Sequence, residues 1–232
     1  MALVFEQVQL RKGDFELFAD FEISAGSRIA VIGPSGAGKS TLFDAVAGFL
    51  KPVSGVVSWD GQLLNNLKPG ERPVAMLFQD NNLFPHLNVA QNIGLALSHK
   101  RKLTPEQTAQ VESVLSRVGL SGMSNRRLSE LSGGQLSRVA LARLLLQDRP
   151  VWLLDEPFAA LGPGLKSEMI DLVEEFAADA NATVLMITHD PKDALQFAEK
   201  SLLVMDGQVE GPMATKPLIA NPPDKLRSYL GM

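Results

Sequence analysis

Residues 29–47 read IAVIGPSGAGKSTLFDAVA, and this stretch limits the possible folds more than any other. Ile29 to Ile32 form an unbroken apolar run, as expected of a strand buried on both faces. Gly33 to Ser40 then fit G-x-x-x-x-G-K-[ST]. Lys39 to Ala47 follow as a helix closed by Gly48. A glycine-rich turn between a buried strand and a helix start presents backbone N–H groups to an anion. Glycines let the backbone curl round phosphate oxygens, Lys39 can reach the outer phosphates, and the Ser40 hydroxyl can ligate Mg²⁺. A chance match in a chain of this length has odds of roughly one in a hundred. The candidate nucleotide-binding set is therefore Gly33, Pro34, Ser35, Gly36, Ala37, Gly38, Lys39, Ser40 and Thr41.

Further strand signals frame that unit. Phe15, Leu17, Ala19, Phe21 and Ile23 alternate with polar neighbours, the pattern of a half-buried strand. Val74 to Phe78, Val151 to Leu154 and Val184 to Ile187, the last opened by Thr183, are continuous apolar runs. Val56 to Trp59 meets the turn Asp60-Gly61, and Ser201 to Met205 meets Asp206-Gly207. Helices are predicted after Thr104-Pro105-Glu106, where Thr caps and Pro takes the first position, and over Leu165 to Ala178. Asn221-Pro222-Pro223 reads as a loop before a short C-terminal helix. Buried strands alternating with helices predict an α/β fold with a largely parallel sheet covered on both faces. We expect one domain over residues 1–232, an N-terminal antiparallel β region, and a helical insertion over about 83–143.

Composition removes several function classes. The chain has no cysteine, so disulfide scaffolds and thiolate chemistry are out. Net charge is −4, which supplies no global field for nucleic acid or an anionic membrane. No run approaches the roughly 18 apolar residues of a membrane span, and charges interrupt the N-terminus from the start. A cytoplasmic protein is expected, with any membrane role exercised through partners.

Four more sites carry chemistry. Val151 to Leu154 end in Asp155-Glu156, two acids at a strand's carboxyl end, where ligands bind in such sheets. Asp155 can hold a metal's water shell, while Glu156 can orient or deprotonate an attacking water. Ordinary solvated acids are the plainer reading, which the phosphate loop outweighs. In Leu131-Ser132-Gly133-Gly134-Gln135, Ser132 and Gln135 make a capping box, ahead of a buried face from Leu136, Val139, Ala140 and Leu144. Capping leaves the two glycines unexplained; they permit close approach by something flat or anionic. Gln79 and His189 each follow a strand. Taken singly, either is more often an ordinary loop residue than a ligand contact.

Together these residues resemble the ATP-binding subunits of ABC transporters, in family order and over nearly the whole chain. The specific features are the phosphate loop at 33–41, Gln79, LSGGQ at 131–135, Asp155-Glu156-Pro157 and His189. The resemblance implies a RecA-like P-loop NTPase core, ATP and Mg²⁺ as ligands, and ATP hydrolysis that drives transport. It implies that two copies pack head to tail, with each ATP between one copy's phosphate loop and the other's Ser132, Gly133, Gly134 and Gln135. Glu156, His189 and Lys39 would be catalytic; Ser40, Gln79 and Asp155 would face the metal. The implied partners are a second copy, a membrane permease touched by the Gln79 loop and, indirectly, an external substrate-binding protein. The implied location is peripheral, on the cytoplasmic face of the cell membrane. Within the family, the stretch from Met76 to Gly94 is most similar to bacterial thiamine importers. Leu83, Phe84, Pro85 and Leu87 are expected either to form a permease groove or to pack in the core.

Three departures from the family pattern stand out. Lys12-Gly13 occupies the region where relatives place an adenine-stacking aromatic, and the one tyrosine is Tyr229. Gly162 replaces the usual Asp after Ala-Leu, and Leu136-Ser137 replaces a polar or basic pair. Rival classes fit less well. Soluble ABC ATPases that remodel nucleic acid or ribosomes usually carry long coiled coils or two cassettes. A P-loop kinase or GTPase leaves LSGGQ unexplained. A module in which ATP gates assembly with little turnover differs in its steady-state hydrolysis.

Overall fold

The computed structural model describes residues 1–98, 102–224 and 226–227. The chain opens with β1 (Ala2–Lys12), β2 (Phe15–Ser24) and β3 (Arg28–Ile32), and then α1 (Lys39–Ala47). Two antiparallel strands follow, β4 (Ser54–Trp59) and β5 (Gln62–Leu63), and then β6 (Val74–Leu77). Three helices, α2 (Val89–Gly94), α3 (Pro105–Arg117) and α4 (Gly133–Leu145), lie between β6 and β7 (Val151–Asp155). The last part alternates α5 (Pro163–Asp179), β8 (Thr183–Ile187), α6 (Pro191–Phe197), β9 (Lys200–Met205), β10 (Gln208–Ala214) and α7 (Thr215–Ala220).

Among the described residues the strands join one sheet, ordered β5-β4-β1-β2-β10-β9-β3-β8-β7-β6. From β9 to β6 every pairing is parallel; β1, β2, β4 and β5 pair antiparallel. This is the α/β architecture expected from the sequence. The carboxyl ends of β3, β8, β7 and β6 therefore open side by side on one edge.

Alternate residues of the parallel strands feed two cores. Ile29, Val31, Leu153, Leu185 and Ile187 pack with α1 and with the inner face of β1, β2 and β4. Ala30, Ile32, Leu154, Val184 and Met186 pack with α3 to α7. Helix α1 is thus enclosed between the parallel and antiparallel parts of the sheet.

β1 reaches that core by an irregular route. Leu3, Phe5, Val8 and Leu10 are all buried, although they change from odd to even positions. A register shift between Phe5 and Val8, with Gln7 in the left-handed region at φ 46°, returns the later pair to the inner face.

The carboxyl end of α1 is held by a buried cation. Arg72, 1% exposed, donates to the carbonyls of Ala45 and Val46 through Nη1 and to Leu67 through Nε. A cation here complements the negative end of the helix. Gly48 closes the helix at φ 92°, and a Cβ there would lie 2.6 Å from Arg72 Nε. The glycine supplies the left-handed turn and the space for the guanidinium. Replacing Arg72 by Met strands buried carbonyls, so we expect a loss of about 3 kcal/mol in urea denaturation. A loss below about 0.5 kcal/mol would contradict this account.

Candidate functional site

The loop after β3 forms the floor of a cleft of about 450 Å³. Gly38, at φ 105°, is the last residue before α1, and its own carbonyl starts the helix by accepting from Leu42. A Cβ on Gly38 would stand 2.7 Å from the Phe15 ring, so only glycine combines that turn with that contact. Lys39 is 7% exposed, and its ammonium donates to the Gly33 and Pro34 carbonyls at 2.8 Å each. Burial holds its pKa below the usual lysine range, against the pull of Glu156 and Asp155.

Three neighbouring strands add the remaining groups. β7 ends on Asp155, whose carboxyl burial pushes upward in pKa while a hydrogen bond from Ser40 opposes the shift. Glu156 turns left-handed at φ 44°, and its N–H donates to Ile187 O at 3.1 Å. That turn separates the directions of the two acids. β8 leads to His189, whose Nδ1 lies 3.0 Å from Glu156 Oε2. β6 leads to Gln79, which lines the same cleft as Ser35, Lys39, Ser40, Asp155 and Glu156. Among the described residues no three acidic or histidine side chains gather into a metal site of their own.

Ser132 to Gln135 do not line that cleft. They open α4 as the capping box read from the sequence: Ser132 N–H donates to Gln135 Oε1, and Gln135 N–H to Ser132 Oγ. The two glycines have different reasons. A Cβ on Gly134 would sit 2.3 Å from Leu165 Cδ2, so packing on α5 accounts for it. A Cβ on Gly133 would meet nothing nearer than Leu161 Cδ2 at 3.9 Å. Gly133 is exposed, and packing within the subunit does not require it.

Several site residues escaped the sequence reading. Phe15 and Lys12 line the mouth of the cleft, and Lys12 pairs with Asp44 on α1 at 3.1 Å. Phe15 stands across the β1–β2 turn from Lys12-Gly13, outside the positions where the family pattern puts an aromatic. Arg143 of α4 donates to the carbonyls of Asn81 and Asn82, at 2.9 and 2.8 Å, and so tethers the loop beyond Gln79. His99 and Tyr229 lie outside the described residues.

The expected apolar groove differs in membership. Leu83 packs against the core, whereas Phe84 joins Phe49, Phe78, Val74 and Met76 around an open depression. Buried Asn92 moulds the loop that presents Phe84, bonding its N–H and C=O and the carbonyls of Leu87 and Asn88. Phe49 and Phe84 remain 57% and 41% exposed. Among the described residues no helix is long and apolar enough to cross a membrane.

Comparison with known proteins places this geometry. The family model described as ABC transporter matches residues 19–159. The thiamine import ATP-binding protein ThiQ of Cereibacter sphaeroides is 55% identical over 229 residues, covering 99% of both chains. Its counterpart from Brucella suis biovar 1 is 44% identical, over 97% of this chain and 93% of that one. Among solved structures, the ADP conformation of the ATP-binding cassette MJ1267 superposes with a TM-score of 0.88 at 27% identity, over the full length of both chains. A dimeric post-hydrolysis state of the cassette MJ0796, bound to ADP and Pi, gives 0.79 at 27% identity, over 93% of this chain and 99% of that one. With a family match over more than half its length and full-length relatives at this identity, the chain belongs to the ABC transporter family, among its ATP-binding subunits.

Proposed function

We propose that this chain is the ATP-hydrolysing subunit of an importer whose cargo is thiamine or a thiamine phosphate. One observation carries the ATPase reading: Lys39, Ser40, Gln79, Asp155 and Glu156 converge on one cleft, which the exposed helix start at Ser132 does not line. The cargo is inferred from the names of the full-length relatives. The whole chain acts as one ATP-binding domain, with the helices of about 83–143 as its insertion.

The backbone of Gly33 to Thr41 cradles the phosphates, and the Lys39 ammonium exchanges its loop carbonyls for the outer phosphate oxygens. Ser40 and Asp155, already hydrogen-bonded, are hard oxygen donors that suit Mg²⁺ completed by nucleotide phosphates, with Gln79 facing it. The cation would neutralise charge on the terminal phosphoryl. Glu156 orients and deprotonates the attacking water, and His189, in contact with it, steadies the terminal phosphate. Phe15 supplies the flat surface for the base.

Ser132, Gly133 and Gly134 of a second copy complete the site from the opposite side, with Gln135 keeping that helix start in shape. ATP then favours the closed pair and hydrolysis releases it, which moves a permease docked at the Phe49–Phe84 groove. An external binding protein delivers the cargo, no nucleic acid takes part, and the subunit sits peripherally on the cytoplasmic face of the membrane.

Glu156→Gln is expected to keep ATP affinity, hold a dimer with ATP and Mg²⁺ in size-exclusion chromatography, and lose at least about 100-fold in turnover. A variant that stays monomeric would count heavily against the paired site. Lys39→Ala should weaken ATP binding by about 10- to 100-fold in titration calorimetry, the worth of a charged hydrogen bond. Gly133→Ala has room within its own subunit, so its melting temperature should hold while ATP-dependent dimerisation falls at least about tenfold. Undiminished dimerisation would remove Gly133 from the interface.

A further inference from the structure

The cleft leaves one cluster of charge unexplained. Lys166 stands in the first turn of α5, 14% exposed, with its ammonium 3.1 Å from Asp190 Oδ2 and 3.2 Å from Asp193 Oδ2. Both carboxylates belong to the start of α6. Asp190 is its N-cap, accepting the Lys192 N–H at 2.9 Å, and its own N–H donates to Thr188 Oγ1 at 3.1 Å. The Thr188 hydroxyl in turn donates to Asp193 at 3.2 Å. His189 lies in the middle of this knot. Its flanking residues are fixed, and its half-exposed ring projects to Glu156.

An ammonium placed among two carboxylates with little solvent is a weak source of stability, because desolvation offsets most of the attraction. Nor do the two helices need it in order to dock. Gln196 of α6 bonds Ser167 and Asp171 of α5, and buried Met169, Ile170, Ala194 and Phe197 belong to the same core. What Lys166 alone contributes is a tie between the first turn of α5 and the segment that carries His189. That tie spans the loops leaving β7 and β8, one bearing Glu156 and the other His189.

We infer that Lys166 is a positioning residue for ATP hydrolysis, holding the His189 segment against α5 so that the imidazole stays in contact with the Glu156 carboxylate. The inference rests on the roles proposed above for Glu156 and His189. Lys166 itself does not line the nucleotide cleft, so the phosphate loop binds ATP without it.

The test compares Lys166→Met and Lys166→Arg with the unaltered chain, in steady-state ATPase assays and in ¹H–¹⁵N spectra of the imidazoles. Three histidines make His189 assignable by its loss in His189→Ala. In Lys166→Met, kcat should fall about 10- to 100-fold, the scale of a small misplacement, with the KM for ATP within about twofold. The His189 resonances should move while those of His86 and His99 stay. Arg can bridge two carboxylates, so Lys166→Arg should restore kcat to within about threefold. Unchanged kcat, a fall shared by KM, or a fall without movement of the His189 signals would each overturn the inference. Should the Met variant fail to fold, Asp190→Asn keeps the capping acceptor, removes the charge facing Lys166, and is read by the same criteria. Lys39→Ala and Glu156→Gln run alongside: if those also leave turnover intact, the ATPase reading itself has failed, and not only the role of Lys166.

Discussion

Everything in this molecule hangs from the lateral pairing of β3, β8, β7 and β6. Register places Val31 and Asp155 beside the same residue, Ile187, so the strands finish level and their loops emerge together. β7 and β8 are apolar on both faces, and a slip of one residue would exchange the side chains delivered to the two cores. It would also draw Asp155 into the sheet or push it out of reach of Ser40. The point at which each strand turns polar is thus the point at which the chemistry begins. A mixed sheet built this way needs no specialised element to gather a lysine, two acids, a glutamine and a histidine from distant parts of the chain.

What was legible in the sequence follows from how local each signal is. The loop at Gly33 to Ser40, the caps at Thr104 and Ser132, and the buried runs before Asp155 and His189 each announce themselves within a few residues. β1 carries no clear strand signal in the sequence, because the bulge at Gln7 breaks its two-residue period and the pattern makes sense only against β2 and β4. Arg72, in a polar stretch, and Arg143, the one charge inside the apolar run from Val139 to Leu146, both look like solvated cations. The helix-end acceptors of Arg72, Ala45 and Val46, lie at least 26 residues away, and the acceptors of Arg143, Asn81 and Asn82, at least 61. Phe15 reads only as a strand residue in the sequence, because its neighbour in space, Gly38, belongs to another element.

The pair of glycines ahead of α4 shows how structure refines a motif. Sequence offers one explanation for both, close approach by a ligand, yet Gly134 is accounted for by Leu165 in its own subunit. Gly133 alone stays open toward solvent, beside a serine whose hydroxyl is engaged by the helix start. If that helix start serves a phosphate, as proposed, it is incomplete in one chain, because it does not line the chain's own cleft. On the proposed head-to-tail pairing, two chains would complete it twice, and the cleft would bind its nucleotide most tightly when closed. Energy from that differential affinity is what a permease could draw upon.

Cross-linking tests this shared site most directly, since the chain contains no cysteine of its own. One preparation carries Ser35→Cys and another Ser132→Cys, both exposed positions, each in a Glu156→Gln background expected to hold the closed state. Mixed and mildly oxidised, they should yield a covalent heterodimer with ATP and Mg²⁺ and almost none without nucleotide. If both preparations bind ATP and yet no cross-link forms, or one forms equally without nucleotide, the terminal phosphate is not held between two chains.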